Sequence, residues 1–267
     1  MALQYENLLY GIFSISALHL LEAEPDDIEL IAARRNYLGL SVNKHRVAVA
    51  QLNSRSADSI CFSSVLILLD VFASLQDRLI EPYSSPMQWM RVARGTGSIF
   101  KIALSSIDDY DTAKITAVVK GIPLLNSRHG LFAEGNRKNL LGILSQDIPA
   151  GDVLWDQETR EAYENTLSYV GSIQLAITEA EDATAVCHRI MGFPHYVPNK
   201  FIEFVEEQRP RALVLLAYFF ALSTELRTFW LIGNTPQREI GGICKVLPVE
   251  WHDLMRWPLT VVGLSPK

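Results

Sequence analysis

The sequence predicts an all-α fold, a single multi-helix domain around a buried central helix at about residues 209–231. Apolar residues recur at steps of three and four along most of the chain, and no stretch alternates convincingly at the period of two that marks a strand. Every residue from Ala212 to Leu222 is apolar or aromatic. A helix that is hydrophobic on all sides belongs inside a protein or a membrane. Because this run is about half the ~20 residues that a bilayer requires, we expect a core helix and no membrane span.

The central helix has clear end signals. Pro210 suits the first helical turn, where its missing N–H is not needed, and Gly233 suits the turn that ends a helix. The large side chains that other elements can pack against are Tyr218, Phe219, Phe220, Phe229 and Trp230. Two interpretations stay open: a core helix alone, or a core helix that also lines a pocket for an apolar ligand.

The composition predicts an intracellular protein with no metal site. With 267 residues, 49% of them hydrophobic, the chain can bury a large core. The net charge of −6 includes no long run of either sign, which argues against a nucleic-acid-binding surface. Cys61, Cys187 and Cys244 lie far apart and form no CxxC or Cys/His cluster, so neither a zinc site nor a disulfide framework is expected. Such cysteine usage is typical of the reducing cytoplasm or nucleus.

Four helices are predicted in the first part of the chain, over about residues 5–22, 26–52, 56–75 and 87–104. The first is apolar, but no basic residue precedes Arg34, so we interpret it as a helix of the fold and not as a signal peptide. Its expected buried stripe is Leu8, Ile12, Ile15 and His19, widened by Leu9, Phe13 and Leu20. The second helix has the clearest period, formed by Ile28, Ile31, Leu38, Val42, His45, Val49 and Leu52.

The middle of the chain is less regular. Residues 105–151 are rich in glycine and proline, which predicts short helices and loops and makes this stretch the candidate for a mobile cover over a pocket. Further helices are predicted over about residues 156–191, 200–208, 236–246 and 248–257, with breaks at Gly192, Pro194 and Pro198.

Three titratable residues are the catalytic candidates: Glu225, His19 and Asp70. Glu225 and Asp70 interrupt apolar helices, where a carboxylate must be paired, exposed or raised in pKa. Each is therefore either half of an ion pair or a proton donor or polar anchor for a ligand hydroxyl. His19 lies in an apolar stripe, where it is either a core histidine or a catalytic group.

An apolar pocket would be lined from the first, third, fourth and central helices. The candidate ligand-binding residues are Phe62, Leu66, Trp89, Phe219, Phe220, Glu225 and Trp230. The sequence contains no motif for nucleotide binding, metal binding or nucleophilic catalysis, and no cofactor is expected. A cyclase for a pericyclic reaction needs none of these, because a shaped apolar pocket and one hydrogen bond can hold the reactive conformer.

Several segments together resemble one protein family. They are LLYGIFSISALHL at Leu8–Leu20, the segment Arg34–Tyr37, WMRVARG at Trp89–Gly95 and REIGGICKVLPVEWHDLMRWP at Arg238–Pro258. In this order they resemble the carboxy-terminal regulatory domain of fungal zinc-cluster transcription factors of the sterol-uptake-control type. The resemblance covers nearly the whole chain.

The resemblance implies an all-α domain, often dimeric, that can hold ergosterol in a hydrophobic pocket. Because the sequence begins at Met1 inside the regulatory domain, without the six-cysteine zinc cluster, we expect no direct nucleic-acid contact by this chain. The leading function is the sensing of a sterol or terpenoid-like molecule by a transcription regulator. The alternative is a stand-alone, cofactor-independent enzyme of a fungal natural-product pathway, such as a pericyclase or cyclase acting on a terpenoid or polyketide precursor.

Overall fold

The computed structural model of the protein describes residues 1–120, 128–145 and 155–265. Within these ranges the chain forms thirteen α-helices, several 3₁₀ helices and no strand, which confirms the all-α fold class. The chain divides into two compact units, one of Met1–Ser74 and Arg91–Gly121 and one of Leu75–Met90 and Ile122–Lys267. The extent of a single domain over residues 1–267 stays a prediction. Parts of the irregular middle, residues 121–127 and 146–154, lie outside the described residues.

The helices of the first unit are α1 (Glu6–Ala23), α2 (Ile28–Ala50), α3 (Ala57–Ala73), most of α4 (Met87–Ser105) and α5 (Lys114–Lys120). Asp27 caps α2, because its side chain accepts hydrogen bonds from the N–H groups of Glu29 and Leu30. Asp58 accepts from the N–H groups at the start of α5. The four helices predicted here from the sequence agree with the observed bounds to within a few residues.

The buried face of α1 differs from the predicted one. Its buried residues are Asn7, Leu8, Gly11, Ser14, Ala17 and Leu18. Ile12 and His19 of the predicted stripe are exposed, and so are Phe13 and Leu20, which the sequence predicts to widen it. A Cβ atom on Gly11 would lie 3.2 Å from both Ser41 Oγ and Leu66 Cδ1, so the absence of a side chain here lets α1 approach α2 and α3 closely. The helix packs partly through close backbone approach and hydrogen bonds. The positions of apolar residues in the sequence do not predict contacts of this kind.

A buried hydrogen-bond network around His45 joins the first three helices. His45 Nδ1 lies 2.8 Å from Ser63 Oγ, and its Nε2 lies 3.2 Å from Ser64 Oγ. Asn7 donates to Ser63 Oγ at 2.9 Å, and Ser41 donates to the Asn7 carbonyl oxygen at 2.9 Å. Of the stripe predicted for α2, His45 is buried and the other six residues are partly or fully exposed. Because a buried polar group without a partner is costly, the network holds these helices in one register.

A buried ion pair further along the same helices completes the contact. Asp70 of α3 is 1% exposed. One of its carboxylate oxygens accepts from Arg34 Nη2 at 2.8 Å, and the other accepts from Ser14 Oγ at 2.7 Å. Of the interpretations left open for Asp70, the structure therefore shows the ion pair.

The stretch Ala57–Gln76, which contains α3, is apolar and long enough to cross a membrane by length and composition. It is the single such stretch in the described part of the chain, and 67% of the window that meets the test is buried inside the protein. Core helices of globular proteins meet the same criterion. The observation is therefore consistent with the expectation that this chain has no membrane span.

The second unit contains eight further helices within the described ranges. They are α6 (Arg128–Leu131), α7 (Gly142–Ser145), α8 (Gln157–Thr178), α9 (Ala183–Tyr196), α10 (Asn199–Glu206), α11 (Pro210–Ser223), α12 (Thr235–Val246) and α13 (Arg256–Val261). The predicted central helix is α11, which packs against α8, α10, α12 and α13. It is shorter than predicted, because a 3₁₀ helix at Thr224–Leu226 and turns follow it.

The predicted long helix over residues 156–191 is two helices. α8 ends at Thr178, Ala180 has a positive φ of 53°, and Asp182 caps α9 by accepting from the N–H of Thr184. Conversely, the predicted break at Gly192 and Pro194 is wrong, because both residues lie inside α9. Pro194 has no N–H to donate to the carbonyl oxygen of Ile190, but only two residues of the helix follow it, so the loss is confined to the end of α9.

We expect Gly171→Ala to destabilise the protein by about 1–3 kcal/mol, the range typical of overpacking. A Cβ atom at this position of α8 would lie 2.6 Å from the carbonyl carbon of Asn136, and the backbone cannot yield as a side chain can. Gly39→Ala in α2 is the control, because a Cβ atom there would meet no neighbouring atom within 4 Å. That change should stabilise by about 0.5–1 kcal/mol. Urea unfolding of both variants measures the difference; equal stabilities would contradict the close approach.

The protein should lose stability as the pH falls below the ordinary histidine pKa of 6.5. Burial lowers the pKa of His45 in the folded protein. As the pH falls, this histidine is therefore protonated more readily in the unfolded chain than in the folded protein. Stability is then lost on acidification. Because burial also lowers the pKa of His188, the His45→Gln variant isolates the His45 contribution. Its melting temperature should depend less on pH than that of the wild type, and identical pH profiles would rule this contribution out.

Candidate functional site

Helix α11 is buried on nearly every side. Its buried residues include every position from Arg211 to Ser223 except Tyr218. Pro210 occupies the first turn as predicted. Tyr218 is half-buried and stacks on Trp257 of α13, with ring centroids 4.9 Å apart. The helix therefore forms the interior of the second unit, and the side chains around it form the candidate site.

An aromatic cluster packs along α11. Its members are Trp89, Tyr163, Phe193, Phe201, Phe204, Phe219 and Phe220, all buried. Phe193 stacks on Phe219 with centroids 4.1 Å apart, and Trp89 lies 5.8 Å from Phe219 and 6.2 Å from Phe220. Tyr163 extends the cluster to α10, 5.1 Å from Phe204. Offset and tilted aromatic pairs add stability beyond the area that they bury, so these rings stabilise the packing around α11.

The segment 75–90 brings Trp89 into this cluster. At its beginning, Gln76 Nε2 donates to the carbonyl oxygens of Trp230 and Leu231 at 3.2 and 3.1 Å. Gly233 has a positive φ of 45°, and a Cβ atom there would lie 2.6 Å from Gln76 Cδ. Near its end, Ser85 Oγ donates to the Val205 carbonyl oxygen at 2.6 Å. Hydrogen bonds thus fix the segment near both of its ends, and the part between Gln76 and Ser85 is an irregular loop.

A buried ion pair holds the middle of the same segment. Glu239 of α12 is fully buried, and Arg78 binds it through two hydrogen bonds of 2.6 and 2.7 Å. Tyr83 O–H also donates to Glu239 at 3.2 Å. Burial raises the pKa of Glu239, while the Arg78 guanidinium and the Tyr83 hydroxyl oppose that shift. Gly242 leaves room for the Tyr83 ring, because a Cβ atom there would lie 3.1 Å from Tyr83 Cε2.

Arg211, at the start of α11, is a fully buried cation in an aromatic enclosure. Its guanidinium carbon lies 5.0 Å from the Trp155 ring centroid, 5.2 Å from that of Trp251 and 5.9 Å from that of Tyr163. One of its nitrogens also donates to the Ile143 carbonyl oxygen. Desolvated cation–π contacts are worth about 2 kcal/mol or more. The enclosure therefore explains how an arginine is accommodated in an apolar interior.

The structure brings together part of the predicted ligand-binding set. Trp89, Phe219 and Phe220 are in contact within the aromatic cluster. Phe62 and Leu66 belong to the first unit, where Phe62 packs against the buried group that contains Cys61 and Ile107. Trp230 is half-buried, and its carbonyl oxygen accepts from Gln76. The set thus divides between the two units.

The catalytic candidates are not brought together either. Glu225 is exposed in the 3₁₀ helix after α11, because the α-helix ends at Ser223 and turns this side chain to solvent. His19 is exposed on α1, with Nδ1 3.4 Å from Glu22 Oε2. Asp70 is held by Arg34 and Ser14, as described above. In the described ranges, no three His, Cys, Asp or Glu side chains form a metal-binding group.

Three buried polar residues of the second unit, Arg211, Glu239 and Ser168, are not among the site residues predicted from the sequence. Arg211 directly follows Pro210, and Glu239 stands beside Arg238, so neither has a local signature of burial. Ser168 of α8 is fully buried, and its Oγ has no hydrogen-bond partner within the described residues. A serine among Leu167, Tyr169 and Val170 offers no signal beyond its apolar neighbours.

Comparison with known proteins gives two fungal regulators. The chain is 32% identical over 219 residues to the Zn(2)-C6 fungal-type transcription factor afumD of Aspergillus fumigatus, a match to 80% of this chain and 56% of that protein. It is 23% identical over 272 residues to a Zn(2)-C6 fungal-type transcription factor of Gibberella zeae, covering 96% of this chain and 53% of that protein. No family model and no solved structure matches.

Over most of its length the chain is similar in sequence to fungal Zn(2)-C6 transcription factors. It spans about half the length of the curated relatives that it matches. Both relatives are described as transcription factors, so the comparison gives no support to the enzyme alternative. The sterol-uptake-control type and the lack of a DNA-binding part stay predictions.

We expect Glu239→Gln to destabilise the protein by about 3–5 kcal/mol, because it leaves the Arg78 charge without its partner in a buried site. Glu81→Gln is the matched control. Its carboxylate pairs with Lys245 in the same region, but both side chains are exposed, and such pairs contribute little. Chemical denaturation should separate the two variants clearly. Similar losses of stability in the two variants would mean that the buried Glu239–Arg78 pair does not hold this segment.

Proposed function

We propose that this chain is the ligand-sensing region of a fungal transcription regulator and that the second unit binds a sterol or terpenoid-like molecule. The observation that carries the proposal is the aromatic cluster around the buried helix α11, in a chain related to transcription factors over most of its length. A nuclear location follows from this role. The homodimer implied by the family resemblance is part of the same proposal.

The chemistry of the cluster fits a rigid apolar ligand. Ligand sites for such molecules are mostly apolar and aromatic, with a few polar groups that fix orientation. Trp89, Phe219 and Phe220 supply flat apolar surfaces that a fused ring system can stack against. The ligand would take the place of some ring-on-ring contacts, so that its binding is linked to the packing of α11.

Ser168 is the proposed partner for the single hydroxyl group of a sterol. Its Oγ is buried without a hydrogen bond in the described residues, on α8, the helix that also carries Tyr163 of the cluster. A buried polar atom without a partner costs about 1–3 kcal/mol. A ligand hydroxyl that pairs with Ser168 would recover part of that cost, which favours a sterol over a pure hydrocarbon of the same shape.

Ergosterol should raise the melting temperature of the chain. A ligand that binds the native state alone stabilises it by about 2.7 kcal/mol at a concentration of about one hundred times its Kd. Trp89→Phe should weaken the binding severalfold because it reduces the stacking surface, whereas Phe72→Leu, at a buried position of the first unit, should leave the Kd unchanged. If neither sterols nor terpenoids shift the melting temperature or bind, the ligand-sensing proposal fails.

Ser168→Ala tests the hydroxyl contact separately. The variant should fold with equal or greater stability, since it removes an unsatisfied polar atom. It should bind ergosterol about tenfold more weakly, equivalent to about 1.4 kcal/mol, and a sterol analogue without the hydroxyl group as well as the wild type does. An equal loss for both ligands would indicate a packing defect and would exclude the hydrogen bond.

A further inference from the structure

The first turn of α12 lacks the groups that normally complete the start of a helix. Asn234 and Thr235 are residue types that cap helices, yet neither side chain makes a capping hydrogen bond, and the first turn contains no acidic residue. Pro236 has no N–H, and the N–H of Arg238 donates to the Asn234 carbonyl oxygen. The N–H of the exposed Gln237 is therefore left for a partner from outside the helix.

Two buried side-chain groups of the same turn also lack a partner. Thr235 is fully buried, and its Oγ1 forms no hydrogen bond within the described residues. The same is true of the buried Nε of Arg238. Side chains on a helix lean towards its amino end, and residues three positions apart are neighbours on one side of it. Thr235 Oγ1 is therefore directed towards the start of α12, with Arg238 beside it.

The charges at this end of α12 favour a bound anion. Arg78 occupies both carboxylate oxygens of Glu239, at 2.6 and 2.7 Å. Arg238 Nη2 donates to the Arg78 carbonyl oxygen at 2.6 Å, and no ion pair links Arg238 to a carboxylate in the described part of the chain. The dipole of α12, a helix of twelve residues, adds partial positive charge at the same end. Positive charge therefore exceeds negative charge around the first turn.

The three donors fit a phosphate group better than a carboxylate. The Thr235 hydroxyl, the Arg238 Nε–H and the Gln237 N–H belong to different positions of the turn. A carboxylate has two oxygens in one plane, whereas a phosphate group offers three strong acceptor oxygens in a tetrahedral arrangement. Helix amino ends bind phosphate through the same combination of N–H groups and dipole. Arg238 is partly exposed and Gly233 is exposed, so movement of the Arg238 side chain would open the turn to solvent.

We propose that the first turn of α12 binds a phosphate group, which accepts hydrogen bonds from Thr235 Oγ1, Arg238 Nε and the N–H of Gln237. The occupant is inorganic phosphate or the phosphate of a small monoester. None of the three residues belongs to the aromatic cluster, so the site does not depend on the proposed sterol contact. It would give the chain a second ligand that is chemically unlike a sterol.

Isothermal titration calorimetry with inorganic phosphate tests the site, with the ionic strength held constant by sodium chloride. The wild type should bind one phosphate per chain. Thr235→Val and Arg238→Gln should each weaken the binding at least about tenfold, because each removes a hydrogen bond to a charged group. Arg227→Gln is the matched control, since it removes an exposed arginine of the same unit and should leave the Kd unchanged. Equal losses for Arg238→Gln and Arg227→Gln would show a general effect of charge and overturn the proposal.

Two variants of Thr235 distinguish the site from an ordinary helix start. Thr235→Ser keeps the hydroxyl group and should bind phosphate as the wild type does. Without phosphate, Thr235→Val should be at least as stable as the wild type, because it removes an unsatisfied polar atom. A lower melting temperature for this variant would show that the hydroxyl group already caps α12, and the proposal would then be wrong. Circular dichroism confirms that each variant is folded.

Glycerol phosphate separates the two sources of the phosphate group. Binding at least as tight as that of inorganic phosphate would identify a phosphorylated small molecule as the occupant. Binding of inorganic phosphate alone would identify the free anion. If neither compound binds to the wild type, the first turn of α12 is not a phosphate site.

Discussion

The second unit depends on the complete burial of α11. Nearly all side chains of this helix face protein, so every element around it must supply a surface that matches its own. α8, α10, α12 and α13 do so directly, and the segment 75–90 contributes Trp89. Because packing in protein interiors is as dense as in organic crystals, a change of volume at Phe219 or Phe220 requires the neighbouring side chains to move. The positions of these surrounding elements are therefore set by one helix.

The first unit is held together in a different way. Its first three helices, α1, α2 and α3, meet through Asn7, Ser41, His45 and Ser63, and through the Asp70–Arg34 pair, with Gly11 at a close approach. Hydrogen bonds are directional, so they specify register more strictly than apolar contacts of the same area. The apolar residues of α1 that remain are free to occupy its outer side. The same chain thus combines a hydrophobic core with a polar helix interface.

The sequence is sufficient for the all-α class and for most helix bounds, because apolar spacing, Pro210 and acidic caps are local signals. It is insufficient for the orientation of α1, where Gly11 and Ser14 take the buried positions and no apolar count reveals them. Phe229 and Trp230 continue the apolar pattern and so predict that Glu225 lies within the central helix, yet the helix ends at Ser223. The buried Arg211, Glu239 and Ser168 have no local signal, since burial of a polar side chain is decided by distant residues such as Trp155, Trp251 and Arg78.

The distribution of tryptophan has a practical consequence. All five tryptophans, Trp89, Trp155, Trp230, Trp251 and Trp257, lie in the second unit. Tryptophan fluorescence therefore reports on that unit alone, whereas far-ultraviolet circular dichroism reports on the helices of both. Transitions that coincide for the two probes indicate that the units unfold together. Transitions that separate would assign each to its unit without a label, a mutation or a truncated chain.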